Sequence, residues 1–208
     1  VAKQLAAALG YVGLCRGDRV TARALGPLGR GAPVVRSRGS CWKMLAYLDD
    51  LKALPPHSSR TSDSGDATQA ANASPTLAEG VREFVLGGGS SGIVVLITDL
   101  MDKSGYESAL RMLAGRKLDV FVLQVLSREE LDPPLRGDRR LIDVEDGDAA
   151  EITINQYVLD RYQATLKSFL ADARRYCAKR SIVHALVPTD TPLETVITQY
   201  LRTRGVVR

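Results

Sequence analysis

The sequence predicts an α/β protein in three layers: a doubly wound, mostly parallel sheet between helices, with a small β-hairpin insertion. Three observations predict it. Ile93-Val94-Val95-Leu96-Ile97 is an unbroken apolar run that ends in Thr98-Asp99. A run apolar at every position fits a parallel strand covered on both faces. Leu118–Leu126 and Ile182–Val187 read the same way. Segments with helical apolar spacing separate these runs, and strands alternating with helices argue for a sheet of mostly parallel strands.

The elements follow in chain order. Residues 2–14 read as a helix with Leu5, Leu9, Val12 and Leu14 apolar, and Gly10 and Gly13 allow close packing. Gly17-Asp18 marks a turn, and Val20, Ala22 and Ala24 alternate with polar residues in a short strand over 19–25. The segment 26–31 is a Gly-rich loop, and 34–37 is read as an edge strand. Ser40 is placed to cap a helix over 41–54 that carries Trp42, Leu45, Leu48 and Leu51 along one side. Residues 55–75 are rich in Ser, Asp, Ala and Thr and read as a flexible loop. Pro75-Thr76 then opens a helix to about residue 86, with Glu79 in its first turn.

Beyond the 93–99 strand, a helix is expected near 106–113, then the second core strand. Residues 128–157 interrupt the α/β rhythm as a small hairpin turned at Asp146-Gly147. A long helix over 158–179, a third core strand, and a last helix from Thr191-Pro192 to about 202 complete the chain.

Length and composition set the bounds. A chain of 208 residues is long enough for one domain with a sizeable core. Its 45% hydrophobic and 25% charged residues are those of a globular protein. The net charge of +4 is spread along the chain, and no Lys/Arg cluster is interleaved with aromatics, so no nucleic-acid partner is expected. Cys15, Cys41 and Cys177 lack the short spacing of a zinc site and suit a reducing, cytoplasmic compartment. No apolar run reaches the roughly 18 residues of a membrane span. The chain begins at Val1 already inside a helical pattern, so an N-terminal part is expected to be missing.

Candidate chemistry was sought where open α/β sheets place ligands, at the carboxyl ends of the strands. Asp99, Asp102 and Ser104 crowd the end of the 93–99 strand, and Thr76 begins the preceding helix. Carboxylate and hydroxyl oxygens are hard ligands suited to Mg²⁺, Mn²⁺ or Ca²⁺. The plain alternative is that Asp102 and Ser104 cap the next helix and that Thr76 caps its own.

Gly88-Gly89-Ser90-Ser91-Gly92 fits the letters of a nucleophile elbow but follows a helix and precedes a strand, the reverse of what an elbow needs. Gly26–Gly31 lacks the Lys-Ser/Thr of a phosphate loop. His57 and His184 have no placed Ser or Cys partner. Asp143, Glu145, Asp146 and Asp148 lack the spacing of a calcium loop and read as a solvated hairpin.

Four segments together resemble a known family. They are Ala2–Asp18, the run Pro75-Thr76-Leu77-Ala78-Glu79-Gly80-Val81, the run Val94–Leu100, and the close Pro192-Leu193 to Tyr200-Leu201-Arg202-Thr203-Arg204. In this order they look like the bacterial Domain of Unknown Function 58 family. The resemblance implies a Rossmann-like, von Willebrand factor A-like fold over residues 1–208, truncated before its first strand. It also implies a metal-ion-dependent adhesion site, with Thr76 in the place of the second-loop threonine and Asp99 in that of the third-loop aspartate. The Asp-x-Ser-x-Ser of the first loop does not appear in residues 1–208, so a divalent cation is expected to be held weakly.

The family implies further expectations. It suggests membrane anchoring by segments upstream, at the inner face of the membrane, and a MoxR-type AAA+ ATPase as partner in assembly or chaperone work. The function expected is a non-enzymatic protein-interaction domain. The alternative is a metal-assisted hydrolase or phosphoryl-transfer enzyme using Asp99 and Asp102.

Overall fold

The computed structural model describes residues 1–25, 31–51, 76–87, 91–142 and 149–201. The expected loop over 55–75, the Gly-rich segments at 26–30 and 88–90, the hairpin turn at Asp146-Gly147 with its acidic residues, His57 and the tail at 202–204 lie outside them. Among the described residues five strands are formed: β1 (Gly92–Thr98), β2 (Leu118–Leu126), β3 (Gly137–Ile142), β4 (Ala149–Ile154) and β5 (Val183–Pro188). β1, β2 and β5 form a parallel sheet in that spatial order, and β3 and β4 are the expected antiparallel hairpin. The helices are α1 (Ala2–Cys15), α2 (Trp42–Asp50), α3 (Leu77–Leu86), α4 (Glu107–Ala114), α5 (Arg128–Leu131), α6 (Gln156–Ala178) and α7 (Leu193–Thr195).

Helices cover both faces of the parallel sheet, as the α/β reading requires. On one face, Leu96, Val120 and Val122 pack with Val81 of α3, Leu110 and Leu113 of α4, and Ala173 and Cys177 of α6. On the other, Leu123, Ala185 and Val187 pack with Leu5 of α1 and with Val196. A third cluster joins Leu14 of α1 to Met44 and Leu48 of α2 and to Val35. Gly10 makes that contact possible: a Cβ there would stand 2.5 Å from the Met44 thioether. The close packing expected at Gly10 is present, and α2 supplies the neighbour.

Four sequence expectations need correction. β1 was expected to be covered on both faces, yet only Leu96 of its residues is buried and Ile93 is 55% exposed. β2 is its sole hydrogen-bonded strand among the described residues, and β2 takes the central, doubly covered place instead.

The expected strands over 19–25 and 34–37 shrink to a single antiparallel bridge, Val20–Val35. Around it the backbone finds other partners. Ala32 N donates to Ala22 O (2.6 Å), the Thr21 hydroxyl donates to Ala32 O (2.8 Å), and Ala24 N donates to the Tyr47 hydroxyl (2.8 Å). Backbone groups satisfied in this way have no need of a ladder.

Ser40 does not cap α2. It ends a 3₁₀ turn, Arg38–Ser40, and Cys41 holds the cap position without a side-chain bond. The last helix is α-helical only over Leu193–Thr195 and continues as a π-helix, Val196–Leu201. Within it the Thr198 hydroxyl donates to Glu194 O (2.7 Å), and such a side-chain insertion perturbs the regular helical ladder.

Candidate functional site

The carboxyl end of β1 is built by a tight turn. Thr98 lies beside Gln124 in the β1–β2 register. The chain then passes through Leu100 at φ +63°, a left-handed conformation that costs a residue with a Cβ about 1–2 kcal/mol. Burial of the Leu100 side chain, which is 1% exposed, helps offset that cost. So do three hydrogen bonds. Leu100 N donates to the Thr98 hydroxyl (3.1 Å), Met101 N donates to Asp99 Oδ1 (3.0 Å), and Gln124 Nε2 donates to Asp99 O (2.9 Å).

Asp99 is exposed at this turn. One carboxyl oxygen, Oδ1, holds the turn. The other is given no hydrogen bond by the described residues and is available to a ligand.

Thr76 is the N-cap of α3. Its hydroxyl accepts from Glu79 N (3.2 Å), and the Glu79 carboxylate accepts from Thr76 N (2.9 Å). This reciprocal capping box fixes the start of α3. It leaves the Thr76 hydroxyl one further lone pair and its proton.

Asp102 ties the two loops together, in a role the sequence did not suggest. Its Oδ2 accepts from Leu77 N at the start of α3 (2.5 Å). Its Oδ1 accepts from both the backbone N (2.7 Å) and the hydroxyl (2.5 Å) of Ser104. The Asp102 carboxylate thereby bonds the helix that Thr76 caps to the loop that carries Asp99. Burial pushes the Asp102 pKa up, but these three bonds outweigh it and leave the carboxyl below its ordinary value of 3.8. Asp102 and Ser104 do not cap α4: Tyr106 occupies that cap position, with no side-chain bond.

The Leu77–Asp102 bond thus joins the start of α3 to the loop after β1, with Thr76 beside Leu77 and Asp99 three positions before Asp102. Together they offer a carboxylate oxygen and a hydroxyl, both hard donors. Among the described residues, no three His, Cys, Asp or Glu side chains gather into a metal-binding group. Cation affinity rises with the number of oxygen ligands and carboxylates.

The other candidates fall elsewhere. His184 is buried in β5 and bonds Gln124. Cys177 is buried, and burial pushes its thiol up to about 11 despite the nearby Arg180, which keeps it from being a thiolate nucleophile near neutral pH. Ser90 of the elbow-like motif lies outside the described residues. The residue that sequence reasoning missed is Gln124. The only signal for it was a lone amide inside the apolar run Leu118–Leu126.

A parallel α/β sheet with helices on both faces defines the fold class. The family model described as "Protein of unknown function DUF58" matches residues 1–169, and the chain belongs to that family. No curated protein and no solved structure matches the chain.

Proposed function

We propose that this chain is a non-enzymatic protein-interaction domain of von Willebrand factor A-like type, with an adhesion-type cation site at the carboxyl edge of its sheet. The observation that carries the reading is the Asp102 bridge, which tethers the Thr76 cap to the Asp99 turn while Asp99 keeps one carboxyl oxygen for a ligand. In this reading Thr76 and Asp99 hold Mg²⁺ or another divalent cation weakly. The remaining oxygens come from groups beyond this pair, among them a carboxylate of the protein partner. A MoxR-type AAA+ ATPase, met on the cytoplasmic side or at the inner face of the membrane, is the partner that the family resemblance suggests. The hydrolase alternative would need a free Asp102, but both oxygens of that carboxylate are spent on Leu77 and Ser104.

Calorimetric titration of the 208-residue protein with Mg²⁺ and Mn²⁺ tests the site. Asp99→Ala is expected to abolish measurable binding, and Thr76→Ala to weaken it by about tenfold, since hard-cation affinity follows the oxygen count. Equal binding by wild type and Asp99→Ala would remove the site. Cation-dependent hydrolysis of a phosphoester by the wild type, lost in Asp99→Asn, would favour the enzyme instead.

A further inference from the structure

The described residues contain two buried polar side chains, Gln124 (0% exposed) and His184 (7%), and the two are bonded to each other. His184 Nε2 lies 3.0 Å from Gln124 Oε1, and Gln124 Nε2 donates to Asp99 O at 2.9 Å. Polar atoms thus run through the interior from β5 across β2 to the turn after β1.

The direction of this chain of bonds follows from its fixed end. A backbone carbonyl can only accept, so the Gln124 amide must turn its NH₂ toward Asp99. Its carbonyl oxygen then faces His184 and must itself accept. His184 Nε2 therefore carries a proton, which sets the imidazole tautomer.

An amide at the centre of the sheet is costly unless both its ends are bonded. Both are bonded here, and no buried side-chain N or O among the described residues lacks a partner. The bond at its far end falls on the residue that precedes the left-handed Leu100. That turn carries the one carboxylate the proposed cation site depends on.

We propose that Gln124 is a positioning residue. It holds the Asp99 carbonyl, and with it the Asp99–Met101 turn, in the geometry that presents the Asp99 carboxylate to a divalent cation. His184, protonated on Nε2, donates to the Gln124 carbonyl oxygen that this orientation turns inward, so the buried amide is bonded at both ends. The part of this inference that concerns the cation rests on the site reading above; the part that concerns the turn does not.

The test uses the 208-residue protein with Gln124→Met, which removes both bonds at nearly constant volume, and Gln124→Glu, which keeps the acceptor toward His184 and, at a pH where the carboxyl is ionised, loses the donor toward Asp99. Circular dichroism confirms that each is folded. Nitrogen-15 spectra are expected to show His184 protonated on Nε2 in the wild type and in Gln124→Glu. Amide exchange at Met101 is expected to quicken at least about tenfold in both variants, and Mn²⁺ affinity to fall by about 10–100-fold, the range for groups that orient a metal ligand. A role confined to core stability would lower the melting temperature and leave Mn²⁺ affinity in place.

Unchanged Met101 exchange in both folded variants overturns the proposal, whatever the cation does. His184 protonated on Nδ1 in the wild type overturns the assigned role of His184. If Asp99→Ala binds Mn²⁺ as the wild type does, the site reading fails by itself, and faster Met101 exchange still supports the hold of Gln124 on the turn.

Discussion

β2 and the β3–β4 hairpin both form regular strands, yet they stand in opposite relations to the core. In β2, Val120 through Gln124 and Leu126 are all buried. In the hairpin, every residue of β3 is exposed, with Leu141 at 44% and Ile142 at 61%, and Ile154 alone of β4 is buried. The difference is one of position. β2 has strands on both sides and helices on both faces, whereas β3 and β4 are hydrogen-bonded to each other alone among the described strands. Strand propensity reports how well a side chain suits a pleated surface; burial against other elements is what converts it into stability.

The largest expected effect therefore lies in β2. Leu123 is 2% exposed and packs with Leu5, Ala185 and Val187. Leu123→Ala should cost about 2–5 kcal/mol, from lost transfer energy and the cavity left behind. Chemical denaturation measures it, and a loss under about 1 kcal/mol would mean that this face of the sheet can collapse around the gap, against the close packing of interiors.

The same contrast explains what was legible in the sequence. The three core strands and the helices α4 and α6 could be read because unbroken apolar runs and helical spacing both report burial directly. The central place of β2 could not, because the runs 93–97 and 118–126 look alike as sequence and only pairing decides which is flanked on both sides. Thr76 as the cap of its own helix, and Asp99 at the end of a strand, were legible from their places in the sequence. Asp102 was read as a candidate cation ligand or, more plainly, as a cap for the following helix, since an Asp before a helix normally caps that helix. It bonds the start of α3, a contact across 25 positions that no local rule carries. The short helix α5 was missed although Ser127-Arg128-Glu129-Glu130 spells a capping box, and both of its bonds are made.

The second effect sharpens the contrast by charge. Asp102→Asn leaves the carboxamide one acceptor where the carboxylate had two, so the Leu77 and Ser104 donors cannot all be met. At neutral pH the loss should be about 1–2 kcal/mol, the scale of hydrogen bonds to a charged group. The folded carboxyl titrates below its ordinary 3.8. Its contribution is therefore fully present above pH 3.8 and disappears as the pH falls through the folded value. The stability gap between wild type and variant should stay constant from neutral pH down to about pH 5 and close below pH 4. A gap that persists in acid would show that the variant fails by packing and not by charge.

The smallest effect is expected in the hairpin, and it is the one most able to break the comparison. Ile142 is 61% exposed in β3. Ile142→Thr keeps a β-branched residue in the strand and removes apolar surface that is largely in water already. The change should therefore stay within about 0.5 kcal/mol, as for surface substitutions away from special features. Denaturation curves for this variant and for Leu123→Ala in the same buffer make the comparison direct. A loss in Ile142→Thr that approached the Leu123→Ala value would mean that the hairpin is stabilised against another surface in solution, and the division between a buried sheet and a free-standing hairpin would fall. A loss near zero would leave the hairpin as an element whose sequence is free to vary without cost to the core. That is the property expected of an insertion that carries specificity and not stability.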